Sequence, residues 1–162
     1  MIRIAVISDT HGDFRNVGRV RAQLGGVDWL LHGGDHFHDA PRLAVNLGVD
    51  PSRVRAVAGN CDDPVREPTQ QVLELEGIKI LLTHGHHEGV KHGFQQIYRR
   101  AVEAGARVVI FGHNHIALND DDGRVLMLNP GSLTLPYVST DRPSCALLEI
   151  REGRVAARLI FA

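Results

Sequence analysis

The chain has 162 residues and 43% hydrophobic content, enough for one domain spanning 1–162 with a core that needs no staples. A formal net charge of −1, from 18 Lys and Arg against 19 Asp and Glu, excludes the broad basic face of a stable nucleic-acid binder. Its two cysteines, Cys61 and Cys145, exclude a disulfide framework, and no CxxC zinc pattern exists.

From Met1 the chain runs straight into an apolar stretch, 3–8 (RIAVIS). It shows no charged leader, long apolar run or small-residue cleavage site, so the expectation is a cytoplasmic protein without signal peptide or membrane span. Phe14, Val17, Val20 and Leu24 then share one helical face that Gly25-Gly26 would stop. A second apolar run, 29–32 (WLLH), precedes Ala40, Leu43, Ala44 and Leu47, spaced i, i+3, i+4, i+7 before Gly48. A third run is 54–58 (VRAVA). Pro64, Pro68 and Thr69-Gln70-Gln71 mark a loop. Val72, Leu73 and Leu75 then alternate, which predicts a strand paired with the fourth run, 78–83 (IKILLT), around Glu76-Gly77. Phe94, Ile97, Tyr98, Ala101 and Val102 make a third helical stripe before Gly105, and the fifth run is 107–111 (RVVIF).

Strand and helix alternate through residue 111, the pattern of parallel βα units. After residue 115 the character changes. Asp120-Asp121-Asp122-Gly123 reads as a turn before 125–128, and 146–150 and 155–161 flank Glu152-Gly153 as a hairpin. The expected fold class is α/β, with two sheets packed face to face and helices outside.

Ten histidines are more than stability calls for, and several sit beside glycine and acidic residues. The polar blocks after the five runs are Ser8-Asp9-Thr10-His11-Gly12, Gly33-Gly34-Asp35, Gly59-Asn60-Cys61-Asp62, Thr83-His84-Gly85-His86 and Gly112-His113-Asn114-His115. Asp9, Asp35, Asn60, His84 and His113 are separated by 26, 25, 24 and 29 residues, about one βα unit each. Parallel strands of one sheet would bring all five blocks to one carboxyl edge, where open α/β sheets bind ligands. The set is then two carboxylates, one amide oxygen and four imidazoles. That is more than one tetrahedral ion uses, and it suits two ions sharing a bridging Asp. Mixed N/O ligation fits Mn²⁺, Fe, Co, Ni or Zn²⁺ better than Ca²⁺ or Mg²⁺.

In this order the blocks resemble the calcineurin-like metallophosphoesterases, whose signature is D-x-H, G-D, G-N, a His block and G-H-x-H. The resemblance covers nearly the whole chain. It is strongest to the small YfcE/Vps29-like (MJ0936-like) phosphodiesterase branch, which reads G-N-C-D and N-P-G-S, here 59–62 and 129–132. It implies a four-layer α/β/β/α sandwich. It also implies a division of ligands: Asp9, His11 and His115 on one ion, Asn60, His84 and His113 on the other, Asp35 bridging. Two divalent ions are expected, Mn²⁺ first, with Fe, Ni, Co and Zn as alternatives. The implied reaction is attack on a phosphate diester by a hydroxide bridging the ions. Two cations, two carboxylates and one hydroxide leave about one positive charge, which draws an anionic ester. The implied partner is a small phosphate-ester or nucleotide-like substrate, with a homo-oligomer left open.

One departure concerns the leaving group. Many superfamily members carry a histidine after the metal-binding Asn, where this chain has Cys61, a poor acid at neutral pH. His36, His38 and His86 are nearby substitutes, with His86 the first candidate catalytic residue. Asp62 could orient a histidine or cap a turn, and His32 reads as a buried strand residue. Other readings are a phosphomonoesterase or a non-catalytic Vps29-like scaffold. A metallo-β-lactamase-like hydrolase is a further rival, since His84-Gly85-His86-His87 faintly resembles H-x-H-x-D-H, but it leaves Asp9, Asp35 and Asn60 unexplained. Specificity would come from loops 62–69, 88–93 and 136–142.

Overall fold

The computed structural model describes residues 1–63, 68–134 and 142–162. Ten strands are described: β1 (Ile2–Ile7), β2 (Trp29–His32), β3 (Val54–Ala56), β4 (Gln70–Leu75), β5 (Ile78–Thr83), β6 (Val108–Ile110), β7 (Leu118–Asp121), β8 (Leu126–Asn129), β9 (Ser144–Arg151) and β10 (Arg154–Phe161). Three helices join them: α1 (Val17–Leu24), α2 (Ala40–Leu47) and α3 (Gln95–Glu103).

The side chains of β1 explain the layering. Alternate residues face opposite sides of a strand, and here both sides are apolar. Ile4 and Val6 enter one buried cluster; Ala5 and Ile7 enter another. A sheet with such a strand must be covered on both faces. One face meets the second sheet, where Ile4, Val6 and Leu31 pack with Ile80, Leu82, Ile110 and Leu128. The other meets Val20 and Leu24 of α1 and Leu43 and Leu47 of α2. Beyond the second sheet, Ile97 and Ala101 of α3 cover Leu81, Val109 and Phe111. Each large side chain so buried contributes roughly 1.5–3 kcal/mol. The result is a helix–sheet–sheet–helix sandwich of two mixed sheets, ordered β10-β9-β1-β2-β3 and β4-β5-β6-β8-β7.

All five apolar runs form strands, with ends shifted by one or two residues. Phe14 and Phe94 precede their helices and pack against the core edges. The expectation of one parallel sheet is corrected. β1, β2 and β3 lie in the first sheet, β5 and β6 in the second. The cause is local. Among the described residues no helix follows β3 before β4, which pairs antiparallel with β5 and so founds a new sheet. Glu76 and Gly77 both take positive φ, 48° and 76°, as a two-residue primed turn requires. Glu152 and Gly153 repeat this between β9 and β10 (51° and 75°). Residues 64–67 of one proposed specificity loop, with Pro64, and 136–141 of another lie outside the described residues.

Candidate metal centre

Although split between sheets, the five polar blocks meet. The Gly112 N–H donates to the His84 carbonyl at 2.9 Å, and the Asp9 N–H to the Gly34 carbonyl at 3.0 Å. Across the sheets, the His113 N–H donates to Asp9 Oδ2 at 3.2 Å. Asp9, His11, Asp35, His113 and His115 all take positive φ, between 48° and 69°. Such backbone is uncommon for residues with side chains and clusters where function demands it.

The side chains converge closely. Asp9 Oδ1 lies 3.0 Å from His115 Nε2 and 4.0 Å from His84 Nε2. Asp35 reaches His84 Nε2 at 3.5 Å through Oδ1 and His11 Nε2 at 3.9 Å through Oδ2. Asn60 Oδ1 is 3.1 Å from His84 Nε2, and the His113 ring centroid is 5.0 Å from that of His84. The ligand atoms of Asp9, His11, Asp35 and His115 all lie within 4.8 Å of one another. All seven sequence-derived candidates are therefore together.

His84 shows what the space between them is for. Its Nδ1 is 2.7 Å from the Gly33 carbonyl, which can only accept. In a neutral imidazole Nδ1 therefore carries the hydrogen, and Nε2 turns a lone pair toward Asn60 Oδ1 and the Asp35 carboxylate. Lone pairs facing lone pairs repel unless a cation lies among them. His11 Nε2 is likewise buried without a hydrogen bond. Unmet buried polar atoms cost about 1–3 kcal/mol each, and ligation by divalent ions removes that cost. The donor set fits the metals that the sequence implies.

Titration behaviour agrees. Burial raises the Asp9 carboxyl, but His115, His84 and Ser8 more than offset it and hold it below the usual range. Burial, then His84, pushes His113 down to about 4. Burial, then His84, His87 and His113, does the same to His86. At neutral pH these imidazoles are in the form that binds metal.

Two glycines mark how tightly the backbone packs on the carboxylates. A Cβ at Gly59 would stand 2.2 Å from Asp35 Oδ1, and one at Gly112 would stand 2.4 Å from Asp9 Oδ2. Only glycine fits either place.

Around this core lie groups outside the seven-residue set. Thr10 Oγ1 donates to Asp39 Oδ2 at 2.7 Å and lies 3.1 Å from His32 Nε2. His32 Nδ1 accepts the Gly34 N–H at 3.2 Å. Ser132 Oγ donates to the Asp9 carbonyl at 2.9 Å, and Asn129 Nδ2 to Asn114 Oδ1 at 2.8 Å and the Gly112 carbonyl at 3.3 Å. The 129–132 segment thus braces two ligand loops. Thr10 and Asp39 had no sequence signal beyond polarity in turns.

The remaining candidates divide. His86 sits beside the centre, its ring 5.3 Å from His84 and 6.0 Å from His113, with Nδ1 buried and unbonded. The His36 ring lies tilted 5.3 Å from that of His11; His38, His87 and His92 are exposed. Asp62 caps a turn: its oxygens accept the N–H groups of His36 (2.7 Å) and Gly59 (2.9 Å). Cys61 is exposed, with its thiol raised by partial burial and then by Asp35. Its backbone N–H donates to Asp35 Oδ1 at 3.0 Å. No helix among the described residues is long and apolar enough to cross a membrane.

Two mixed sheets between helices, with imidazoles and carboxylates gathered where strands of both sheets end, define a metal-ligating α/β sandwich. The chain belongs to the calcineurin-like phosphoesterase superfamily, whose domain model matches residues 2–153. It is 34% identical to the probable metallophosphoesterase YsnB of Bacillus subtilis, covering 97% of this chain and 89% of that one. It is 31% identical to the phosphodiesterase YfcE of Escherichia coli K12, covering 84% and 82%, which fits the small YfcE/Vps29-like branch. A crystal structure of a predicted phosphoesterase from Streptococcus pneumoniae superimposes with a TM-score of 0.79 at 32% identity, over 99% of this chain and 89% of that one.

Proposed function

We propose that this protein is a binuclear metal-dependent phosphodiesterase acting in the cytoplasm on a small phosphate-ester or nucleotide-like substrate. The observation that carries the reading is His84 Nε2, whose lone pair is aimed at acceptor oxygens of Asn60 and Asp35. Asp9, His11 and His115 would hold one ion, Asn60, His84 and His113 the other, and Asp35 would be shared. Mn²⁺ is the favoured ion by ligand chemistry. When bound, two such ions supply an activated water and neutralise the charge of the ester. The chain's own task is placement. The Gly33 carbonyl fixes the His84 ring, Ser8 and the His113 N–H hold Asp9 Oδ2, and the Cys61 N–H holds Asp35. His86, beside His84 and His113, would donate an imidazole N–H to the leaving oxygen.

Diesterase rather than monoesterase activity is favoured by the relationship to YfcE, itself named a phosphodiesterase. Elemental analysis of the purified protein, with a mono- and diester panel run with chelator and with added Mn²⁺, tests the reading. The expected result is two ions per chain, diester turnover lost with chelator and restored by Mn²⁺, and loss of both metal and rate in Asp35→Asn. Full metal content without turnover of any phosphate ester would instead identify a scaffold. Asp35→Asn with full metal and rate would overturn the ligand assignment.

A further inference from the structure

Beside the centre, on the side of His11, lies a second group of ligand-type side chains that the seven-residue set does not use. His36, His38 and Asp39 each offer a ligand atom, and these atoms all lie within 4.8 Å of one another. Neighbours so close in sequence converge only because the backbone is bent. His36 is left-handed at φ 66°, and a single 3-10 turn over Phe37–Asp39 follows. Asp62 holds the bend, accepting the N–H of His36 at 2.7 Å and of Phe37 at 3.4 Å. The His36 and His38 rings are 4.9 Å apart. His36 Nδ1 is shielded from solvent and makes no hydrogen bond. Asp39 is buried, and its Oδ2 is anchored by Thr10 Oγ1 at 2.7 Å and the Gly12 N–H at 2.8 Å. The carboxylate is thus in position before any ligand arrives.

We propose that His36, His38 and Asp39 form a third cation site, selective for a zinc-class transition ion, next to the centre described above. Two imidazoles and a carboxylate, open to water on the His38 side, are the donor set of a three-ligand zinc site. Imidazole donors and the general order of divalent affinities favour Zn²⁺ over Mn²⁺ here. With bonds of about 2.0–2.1 Å, tetrahedral ligand atoms stand about 3.4 Å apart. The cluster need close by no more than about 1.4 Å, and exposed His38 can swing to do so. The His36 ring lies 5.3 Å from that of His11. A third ion would therefore add positive charge beside the place proposed for an anionic ester. The site goes beyond the two-ion reading and stands or falls separately from it.

The test is a count of bound zinc. Metal-stripped full-length protein is equilibrated with Zn²⁺, dialysed and analysed for metal, alongside His38→Gln, His36→Gln and a control at an exposed histidine outside the cluster, His92→Gln. Wild type should bind one equivalent more than His38→Gln or His36→Gln, and His92→Gln should match wild type. Equal counts in wild type and both cluster variants would overturn the third site, whatever the number. So would a lost equivalent in His92→Gln, which would mark adventitious surface binding. Wild type and His38→Gln both at two would leave the two-ion centre intact and remove only this proposal. One equivalent falling to none would retain the third site and remove the two-ion centre. Circular dichroism on each variant separates lost binding from lost fold.

Discussion

His84 Nδ1 and the Gly33 carbonyl are joined at 2.7 Å, a link from the first residue after β5 to the first residue after β2, and so from one sheet to the other. This bond decides which nitrogen His84 offers the centre. Replacing His84 by alanine removes a proposed ligand and the cross-sheet tie together. Loss of an outer hydrogen-bonding partner alone typically costs about 10–100-fold in metal affinity or activity. His84→Ala should lose at least that factor in phosphodiester turnover and one bound ion, read by elemental analysis. Unchanged metal content would show that His84 is not a ligand.

The glycines give a steric prediction. Gly59→Ala would place a Cβ 2.2 Å from Asp35 Oδ1, and no flexible chain end is available to yield. Overpacking of this kind costs about 1–3 kcal/mol. The expected result is a lower melting temperature, with weaker metal binding because Asp35 must shift. Gly26→Ala, where a Cβ meets nothing within 4 Å, is the control and should melt as wild type does.

Much of the site was legible because its chemistry sits in contiguous blocks. D-x-H, G-D, G-N, T-H-G-H and G-H-x-H each supply ligand types directly after an apolar run, and all seven ligand candidates converge. What the sequence could not display was the partition between sheets. Whether β4 extends the first sheet or pairs backward with β5 depends on the primed turn at Glu76-Gly77, not on hydrophobic period. The bracing residues were equally hidden. Thr10 and Asp39 are 29 positions apart, and nothing in either local pattern predicts their 2.7 Å bond. Ser132 came to notice only through N-P-G-S; its bond to the Asp9 carbonyl is a tertiary fact.

Metal should stabilise the fold. His11 Nε2 is buried without a hydrogen-bonding partner, and ligation satisfies it only in the native state. At about 100 times its dissociation constant a ligand adds about 2.7 kcal/mol. For a chain of this length each kcal/mol moves the melting temperature by about 2–4 °C. Mn²⁺ added to chelator-treated protein should raise it by roughly 5–10 °C, measured by calorimetry. No shift would argue against a preformed centre.

His32 predicts an acid-sensitive step. Its ring is wholly buried, and burial pushes its pKa down to about 4 from an ordinary 6.5. The unfolded chain then binds a proton in the window between those values and the folded chain does not. Stability from neutral His32 is fully present above about pH 6.5, falls as pH drops through the window, and is gone below about 4. That gap corresponds to at most about 3–4 kcal/mol. Denaturant unfolding of metal-free protein from pH 7 to 4 should show this slope, and His32→Gln should flatten it. Equal slopes in the two proteins would assign the acid sensitivity to other groups.

Cys61 follows Asn60 directly, yet its environment disfavours chemistry. Partial burial, then Asp35 and Asp62, raise the thiol, so it is neither a thiolate nor a useful proton donor near neutrality. What the centre uses is its backbone N–H on Asp35, which any residue except proline supplies. Cys61→Ala should therefore keep metal content and diester turnover within about threefold, since exposed positions outside a network rarely cost more than about 0.5 kcal/mol. Iodoacetamide mass mapping of native protein gives an independent check. Exposed Cys61 should label slowly, while Cys145, buried and pushed up to about 12, should label only on unfolding. A hundredfold loss in Cys61→Ala with intact metal would instead put the thiol in contact with the reacting ester.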